Sequence, residues 1–107
     1  MLVVSLWIHP GQEAAFEAYE REAARIMARH GGRIDSAVRI SPDASTGSDA
    51  RPPHEVHIVS FPDQDAADSY ASDPESVAMR VKRPSIIART ERLAGKLVGP
   101  YEPKKLP

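Results

Sequence analysis

The sequence predicts an α+β fold in which a four-stranded antiparallel sheet carries two helical regions on one face. Two observations predict it: strand-like and helix-like patterns follow one another in the order βαββαβ along 107 residues, and the two sides of the strands differ in composition. A chain of this length has room for one domain, which we assign to residues 1–99, followed by a tail at residues 100–107.

The first strand and the first helix have the clearest patterns. Leu2–Ile8 is a β-favouring apolar run that ends at His9-Pro10-Gly11, where proline removes an amide donor and glycine permits a turn. Between Gln12 and His30, apolar residues recur at spacings of three and four, which predicts an amphipathic helix; its charged residues, Glu20 among them, are assigned to the polar side. Gly31-Gly32 supplies a left-handed cap.

The second half of the chain repeats the order of strand and helix with less regular patterns. Residues 33–40 and 54–61 are predicted strands, and residues 41–53 are rich in turn formers, which predicts a mobile loop between them. A helix can begin at Asp63 and restart at Asp73-Pro74, where an N-cap residue precedes a first-turn proline. Pro84 interrupts this helical region, and Leu93–Val98 is predicted as the fourth strand.

The two sides of the predicted sheet differ in their chemistry. The side assigned to lie beneath the helices is aliphatic, and it comprises Leu2, Val4, Leu6, Ile8, Ile34, Val38, Ile40, Val56 and Ile58. The open side combines apolar with titratable residues, and it comprises Val3, Ser5, Trp7, His9, Asp35, Ala37, Arg39, Glu55, His57, Val59 and Phe61. Because contiguous exposed apolar patches usually mark interaction surfaces, we expect this face to pack against the same face of a second copy in a homodimer.

Three sequence segments resemble a known superfamily. HPGQEAAFEAYE at the entry to the first helix, HGG at its end and SFPDQDAADSYASDPE after the third strand look like the dimeric α+β barrel superfamily, whose fold is ferredoxin-like. The chain is most similar to a small bacterial family of unknown function in that superfamily, and the antibiotic-biosynthesis monooxygenase-like domains are relatives. The resemblance covers residues 1–99 and implies a homodimer in which two sheets enclose a cavity.

The open face supplies the candidate site residues for proton transfer. In an antiparallel pair, the end of the first strand lies near the beginning of the third, which would bring Trp7 and His9 close to His57. His57 and His9 are the candidate catalytic residues, because imidazole exchanges protons near neutral pH. His54 and His57 are expected on opposite faces of a strand, so their spacing does not predict a metal-ligand pair, and no metal or cofactor is predicted.

Four residues are candidates for ligand binding. Trp7 and Phe61 are assigned either to the lining of an aromatic pocket or to packing in the dimer core. Asp35 and Arg39 are assigned either to orienting a polar ligand or to an interchain ion pair. Both alternatives stay open for each pair.

Composition and charge exclude several classes of partner. The chain has no cysteine, so a disulfide scaffold and a thiolate metal site are excluded. No apolar run approaches the ~20 residues that span a bilayer, and Met1–Ile8 lacks the features of a signal peptide; we therefore expect a cytoplasmic protein without membrane contact. Residues 80–107 carry eight Lys or Arg against two Glu, but the basic residues are dispersed and lack interleaved aromatics, so pairing with the acidic remainder is expected instead of nucleic-acid binding.

Three functions are compatible with these patterns. We expect a homodimeric barrel that binds a small molecule, aromatic compounds included, in a cavity at the open face. The first alternative is a cofactor-independent monooxygenase or isomerase with a histidine base. The second is a non-enzymatic interaction module whose barrel is filled with side chains.

Overall fold

The strands of this computed structural model, which describes residues 1–44, 47 and 50–104, form one antiparallel sheet in the order β2-β3-β1-β4. The elements along the chain are β1 (Leu2–Ile8), α1 (Glu13–Ala28), β2 (Arg33–Arg39), β3 (Glu55–Ser60), α2 (Gln64–Ser72), α3 (Pro74–Arg80), α4 (Arg83–Ile86) and β4 (Ile87–Ala94). The predicted α+β class and its antiparallel sheet are confirmed. None of the helices in the described ranges is long and apolar enough to cross a membrane.

The core lies between one face of the sheet and helix α1. Val4, Leu6 and Ile8 point from β1 toward the helices and are nearly inaccessible to solvent. Phe16 and Ile26 of α1 cover them, with exposed fractions of 0% and 1%. Because fully burying a side chain of this size contributes about 1.5–3 kcal/mol, this contact stabilises both the position of α1 and the central strand.

The helix ends follow the sequence signals. Gly31 adopts the left-handed conformation (φ 73°), and the Gly32 amide donates to the Met27 carbonyl at 2.9 Å, which closes α1 with a glycine cap. The Asp63 carboxylate accepts from the Ala66 amide at 2.8 Å, and the Asp73 carboxylate accepts from the Glu75 amide at 2.9 Å. The predicted starts of the two later helices are therefore confirmed.

Strand β4 begins earlier than predicted. The sequence places the fourth strand at residues 93–98, whereas the structure pairs Ile87–Ala94 with β1, from Ile8 opposite Ile87 to Leu2 opposite Ala94. The apolar pair at residues 86–87 is compatible with the end of a helix or the start of a strand, and only the long-range pairing with β1 distinguishes the two.

Strand β3 presents the opposite face from the one predicted. The pairing places Val4 opposite His57 and Leu6 opposite Glu55, and directly opposed residues in a sheet share a face. His57 and Glu55 therefore lie beneath the helices, with exposed fractions of 3% and 7%, and the predicted open-face position of His57 is wrong. These polar groups can be buried because they are paired: the Glu55 carboxylate accepts hydrogen bonds from His57 and Arg39. The alternation of residues along the strand does not reveal such pairing.

A bulge in β2 changes the face of its second half. The pairing with β3 shifts between Ile34 and Ser36, so that one extra residue is accommodated there. Ile34 and Arg39 then lie on the helix side, while Val38 points to the open side and is 57% exposed. The prediction that Asp35 and Arg39 share a face is therefore wrong, because a single inserted residue reverses the alternation that follows it.

The loop and the tail are described in part. Residues 41–44 and 50–53 of the predicted loop contain neither helix nor strand. The predictions for residues 45, 46, 48 and 49 of this loop, and for residues 105–107 of the tail, lie outside the described residues.

Candidate functional site

A cavity of about 370 Å³ lies between the sheet and the helices, and we call it the inner cavity. Its walls include the apolar side chains of Leu2, Val4, Val59 and Phe61. Polar and charged side chains from six elements also line it, and they include Tyr19 and Glu20 of α1, His57 of β3, Tyr70 of α2, Arg80 of α3, Arg83 of α4 and Arg92 of β4. An apolar space with a few polar groups is the usual composition of a small-molecule site.

A line of three titratable residues runs from Glu20 and His57, which border this cavity, to Glu55, which lies deeper in the core. His57 Nε2 lies 2.7 Å from Glu55 Oε1, and His57 Nδ1 lies 3.8 Å from Glu20 Oε2. Because an ionised carboxylate can only accept hydrogen bonds, His57 donates from Nε2 to Glu55 and turns Nδ1 toward Glu20. The His57 ring also lies 6.3 Å from the Phe16 ring, which covers it from the side of α1.

The two carboxyl groups of this line have opposite electrostatic environments. Burial by itself raises the pKa of Glu55, but hydrogen bonds from His57 and Arg39 outweigh burial, so the Glu55 pKa lies below its ordinary value. Burial raises the pKa of Glu20, and the charges of His57 and Arg83 only partly offset this effect. Glu20 therefore retains a proton more readily than an exposed glutamate does, while Glu55 stays ionised.

Two of the predicted site residues, His57 and Phe61, do line one cavity, but it lies on the helix side. Phe61 packs against Tyr70 with ring centroids 5.6 Å apart, and its ring lies where a side chain on Gly32 would be. The expected position of Phe61 on the open face is therefore wrong, for the same reason of strand orientation as for His57. Their assignment to ligand binding and proton transfer stays a prediction.

Trp7 and Asp35 lie on the open side, away from the inner cavity. The Trp7 indole donates from Nε1 to the Arg51 carbonyl at 2.9 Å, and the Arg89 guanidinium stacks 4.5 Å from its ring centroid. Asp35 accepts a hydrogen bond from the Ser60 hydroxyl at 2.7 Å and pairs with Arg33 at 3.0 Å. The Trp7 side chain therefore does not lie beside His57, and that prediction is wrong.

His9 and Arg39 line a second cavity at the end of the sheet, of about 720 Å³, which we call the end cavity. His9 Nε2 donates to the Pro84 carbonyl at 2.9 Å. Arg39 pairs with Glu55 at 2.8 Å and with Glu17 at 3.1 Å, so its carboxylate partners come from its own chain. The six predicted site residues thus fall into three places instead of one.

His54 also differs from its predicted placement. Its ring packs edge-on against Phe16 at 5.4 Å, so both His54 and His57 contact the same side chain of α1. The expectation that they lie on opposite faces is wrong, because His54 precedes β3 and need not follow its alternation. Within the described residues, no group of three or more His, Cys, Asp or Glu is arranged to hold a metal ion.

Sequence reasoning missed Glu20. It was assigned to the polar side of α1, yet its side chain is only 17% exposed and lines the inner cavity. The signal was present, since Glu20 follows Phe16 by four residues and precedes Ala23 by three, which places it within the buried stripe of the helix. A carboxylate within such a stripe marks a position where burial requires compensation or a function.

We expect Glu55→Gln to destabilise the protein by about 1–3 kcal/mol at neutral pH, because it removes a buried charge-assisted acceptor. The Glu55 pKa is lowered in the folded state, so its stabilisation is present above the unfolded value of 4.5 and is lost as the pH falls through the lower folded value. Denaturant unfolding of both proteins should therefore show a difference in stability that narrows on acidification. Glu91→Gln is the matched control, because Glu91 is an exposed partner of Arg89. An equal loss of stability in this variant would contradict the buried, charge-compensated role of Glu55.

Comparisons with known proteins agree with this fold. A protein of unknown function from Rhodopseudomonas palustris superposes with a TM-score of 0.77 at 17% identity, covering 92% of this chain and 82% of its own. A candidate antibiotic biosynthesis monooxygenase from Bacteroides thetaiotaomicron superposes with a TM-score of 0.69 at 18% identity, covering 97% and 93%. An uncharacterised NIPSNAP domain protein from Burkholderia xenovorans superposes with a TM-score of 0.64 at 18% identity, covering 94% of this chain and 100% of its own.

These identities establish the fold alone. A protein with a ferredoxin-like fold from Mesorhizobium loti has a TM-score of 0.60 and is 19% identical over 92% of this chain, so the predicted ferredoxin-like fold is confirmed. None of the curated proteins matches the sequence significantly. The model of the family described as "Domain of unknown function (DUF1330)" matches residues 3–93, and the chain therefore belongs to that family.

Proposed function

We propose that each protomer binds a small organic molecule in the inner cavity and that two protomers pair through the open face of the sheet. The observation that carries the first part is a cavity of about 370 Å³ that combines apolar walls with the partly buried carboxyl of Glu20. Its size falls within the range of about 300–1,000 Å³ that is typical of small-molecule sites.

The polar groups support a ligand site instead of a packing defect. A gap left by imperfect packing would be lined by aliphatic side chains, whereas Glu20, His57 and Tyr70 all border this space. Placing such groups in a core costs stability unless they are hydrogen-bonded, and the cost is offset when they bind a ligand. The expected small-molecule function is thus retained, with its site moved from the open face to the helix side.

Filling the cavity tests this proposal. Ala67 of α2 is half-buried and lines the inner cavity, so Ala67→Phe should weaken binding of the ring-sized probes 2-naphthoate and 2-naphthamide by at least about tenfold. Titration calorimetry and ligand-observed NMR measure both probes. Ala78→Phe is the matched control, because Ala78 is exposed on α3 and does not border the cavity.

If neither probe binds to the wild type, or if Ala67→Phe binds both as tightly as the control does, the proposal is wrong. The interaction module with a filled interior then becomes the better interpretation.

Proton transfer to or from the bound molecule is a second candidate function. The specific observation is the line from Glu20 through His57 to Glu55, in which a carboxyl with a raised pKa borders the cavity. Such a group can accept a proton from an enolisable substrate and return it, and the neighbouring His57 imidazole, with Nδ1 at 3.8 Å, supplies polarity beside it. This arrangement supports the isomerase alternative with Glu20 beside the predicted histidine base.

Deuterium exchange tests the second candidate. The ketone 2-tetralone has the size of the naphthyl probes and enolisable C–H bonds, so the wild type in D₂O should exchange them faster than buffer does. Glu20→Gln should lose most of this enhancement, on the order of 10²-fold, since an amide cannot exchange the proton. Glu22→Gln, on the exposed side of α1, should keep it. Exchange in Glu20→Gln at the wild-type rate would reject the assignment.

The open face supports the pairing of two protomers. With β3 and the end of β2 in their observed orientation, its apolar members are Val3, Trp7, Val38, Val56, Ile58 and Leu93. Val38 and Leu93 are 57% and 67% exposed in the single chain. A second copy related by a two-fold axis presents the same apolar surface and covers these side chains most simply.

The association state is sensitive to one charge at this face. We expect sedimentation of the wild type at micromolar concentration to give a dimer and Leu93→Lys to give a monomer, because a buried unpaired ammonium is costly to desolvate. Val81→Lys is the control, since Val81 is 81% exposed on the helical side. A monomeric wild type, or a Leu93→Lys variant that remains dimeric, would contradict this interface.

A further inference from the structure

We propose that the ligand of the inner cavity is an organic anion, with an apolar body of ring size and a carboxylate, and that Glu20 takes up a proton when this anion binds. The inference rests on the proposed small-molecule function and adds the charge class of the ligand. It is carried by three arginine side chains that border the cavity: Arg80, Arg83 and Arg92.

Arg92 lacks a carboxylate partner. It lies on β4 opposite Val4, which directs its side chain to the helix side of the sheet. Across the described ranges, no carboxylate lies within ion-pair distance of its guanidinium. Partial desolvation lowers the Arg92 pKa, and the nearby charges of Arg83 and Arg80 lower it further, so these cations are close enough to repel one another.

The other two arginines bind neutral groups. Arg83 donates to the Thr90 hydroxyl at 2.6 Å, and Arg80 donates to the Ser76 hydroxyl at 3.1 Å and to the Ala71 carbonyl at 2.5 Å. Arg25, Arg29, Arg33, Arg39 and Arg89, by contrast, each pair with at least one carboxylate. Hydrogen bonds to hydroxyl and carbonyl groups fix the direction of a guanidinium and leave its charge uncompensated, which is the arrangement that a bound carboxylate would complete.

The carboxyl groups of the cavity do not balance these charges. Glu20 and Asp68 are the carboxyl groups that border it, against three guanidinium groups. Asp68 already accepts a hydrogen bond from the Gln64 side chain at 2.9 Å. The Glu20 carboxyl is turned toward His57, and burial favours its neutral form, so the cavity carries excess positive charge.

The proton uptake follows from the neighbours of Glu20. The titratable and charged groups that face it are His57 and Glu55 of β3, Arg83 of α4, Arg92 of β4 and Tyr70 of α2. The positive charges of Arg83 and Arg92 lower the Glu20 pKa, and an anion bound to these arginines would neutralise them. The anion would also place a negative charge near Glu20. Both changes favour protonated Glu20, so affinity for the anion should fall as the pH rises through the Glu20 pKa.

The apolar wall determines the body of the ligand. Leu2, Val4 and Val59 of the sheet and the ring of Phe61 form a surface suited to a flat hydrocarbon or aromatic group. A ligand that packs a flat apolar group against this wall and directs a carboxylate to the arginines would contact both the apolar and the cationic lining of the cavity.

Two probes that differ only in charge test the inference. We expect 2-naphthoate to bind the wild type at least about tenfold more tightly than the neutral 2-naphthamide. Arg92→Gln should remove this preference, because it should lower the affinity for naphthoate and leave the affinity for naphthamide unchanged. Arg21→Gln removes one exposed positive charge of α1 away from the cavity and should keep the wild-type preference.

The proton linkage is measured in the same titrations. Calorimetry in buffers with different ionisation enthalpies, over about pH 5 to 8 where naphthoate stays ionised, should reveal net proton uptake with naphthoate and none with naphthamide. Glu20→Gln should bind naphthoate with little dependence on pH.

The possible results separate this inference from the function on which it rests. If naphthamide binds as tightly as naphthoate, or if Arg92→Gln and Arg21→Gln behave alike, the anion assignment is wrong while the small-molecule site stands. If naphthoate is preferred but no proton is taken up, the role of Glu20 is wrong. If neither probe binds, the proposed function and this inference fail together.

Discussion

The buried line from Glu20 through His57 to Glu55 is the constraint on which the rest of the structure depends. Ionisable groups in a core cost several kcal/mol each unless they are paired or neutral. Here Glu55 accepts hydrogen bonds from His57 and Arg39, and burial favours the protonated form of Glu20. Because these residues compensate one another, β3 can turn its polar side toward the helices, and Phe16 can pack over the His57 ring.

This single orientation of β3 determines the character of both faces of the sheet. On the helix side it brings the His57 imidazole to the inner cavity, beside Glu20 of α1 and close to Arg83 and Arg92 of the last helix and strand. On the other side it exposes Val56 and Ile58 beside Val3, so the surface left uncovered by helices becomes more apolar. A polar interior cavity and an apolar exterior face are therefore two consequences of one arrangement, and the two halves of the proposed function depend on it jointly.

Local signals were sufficient for the order of the elements and for the end of α1 and the starts of α2 and α3, but not for the position of β4. Glycine at the end of α1, and aspartate at the start of α2 and α3, act within a few residues of chain, so the sequence displays them directly. Strand β4 was misplaced because the apolar pair at residues 86–87 suits a helix end and a strand start equally well. Its hydrogen bonds to β1, nearly eighty residues away, decide between them.

The sequence by itself determined the α+β class, the element order, the family resemblance and the presence of two chemically different faces on the first three strands. The alternation of side chains divides a strand into two faces. It does not determine which face is buried when one is aliphatic and the charged groups of the other can pair with one another. The tertiary structure made that choice for β3, and the bulge after Ile34 made it for Arg39. The gathering of Glu20, His57 and Arg92 around one cavity was beyond the sequence, because it depends on the pairing register of distant strands and on charge compensation among residues that are not neighbours in the chain.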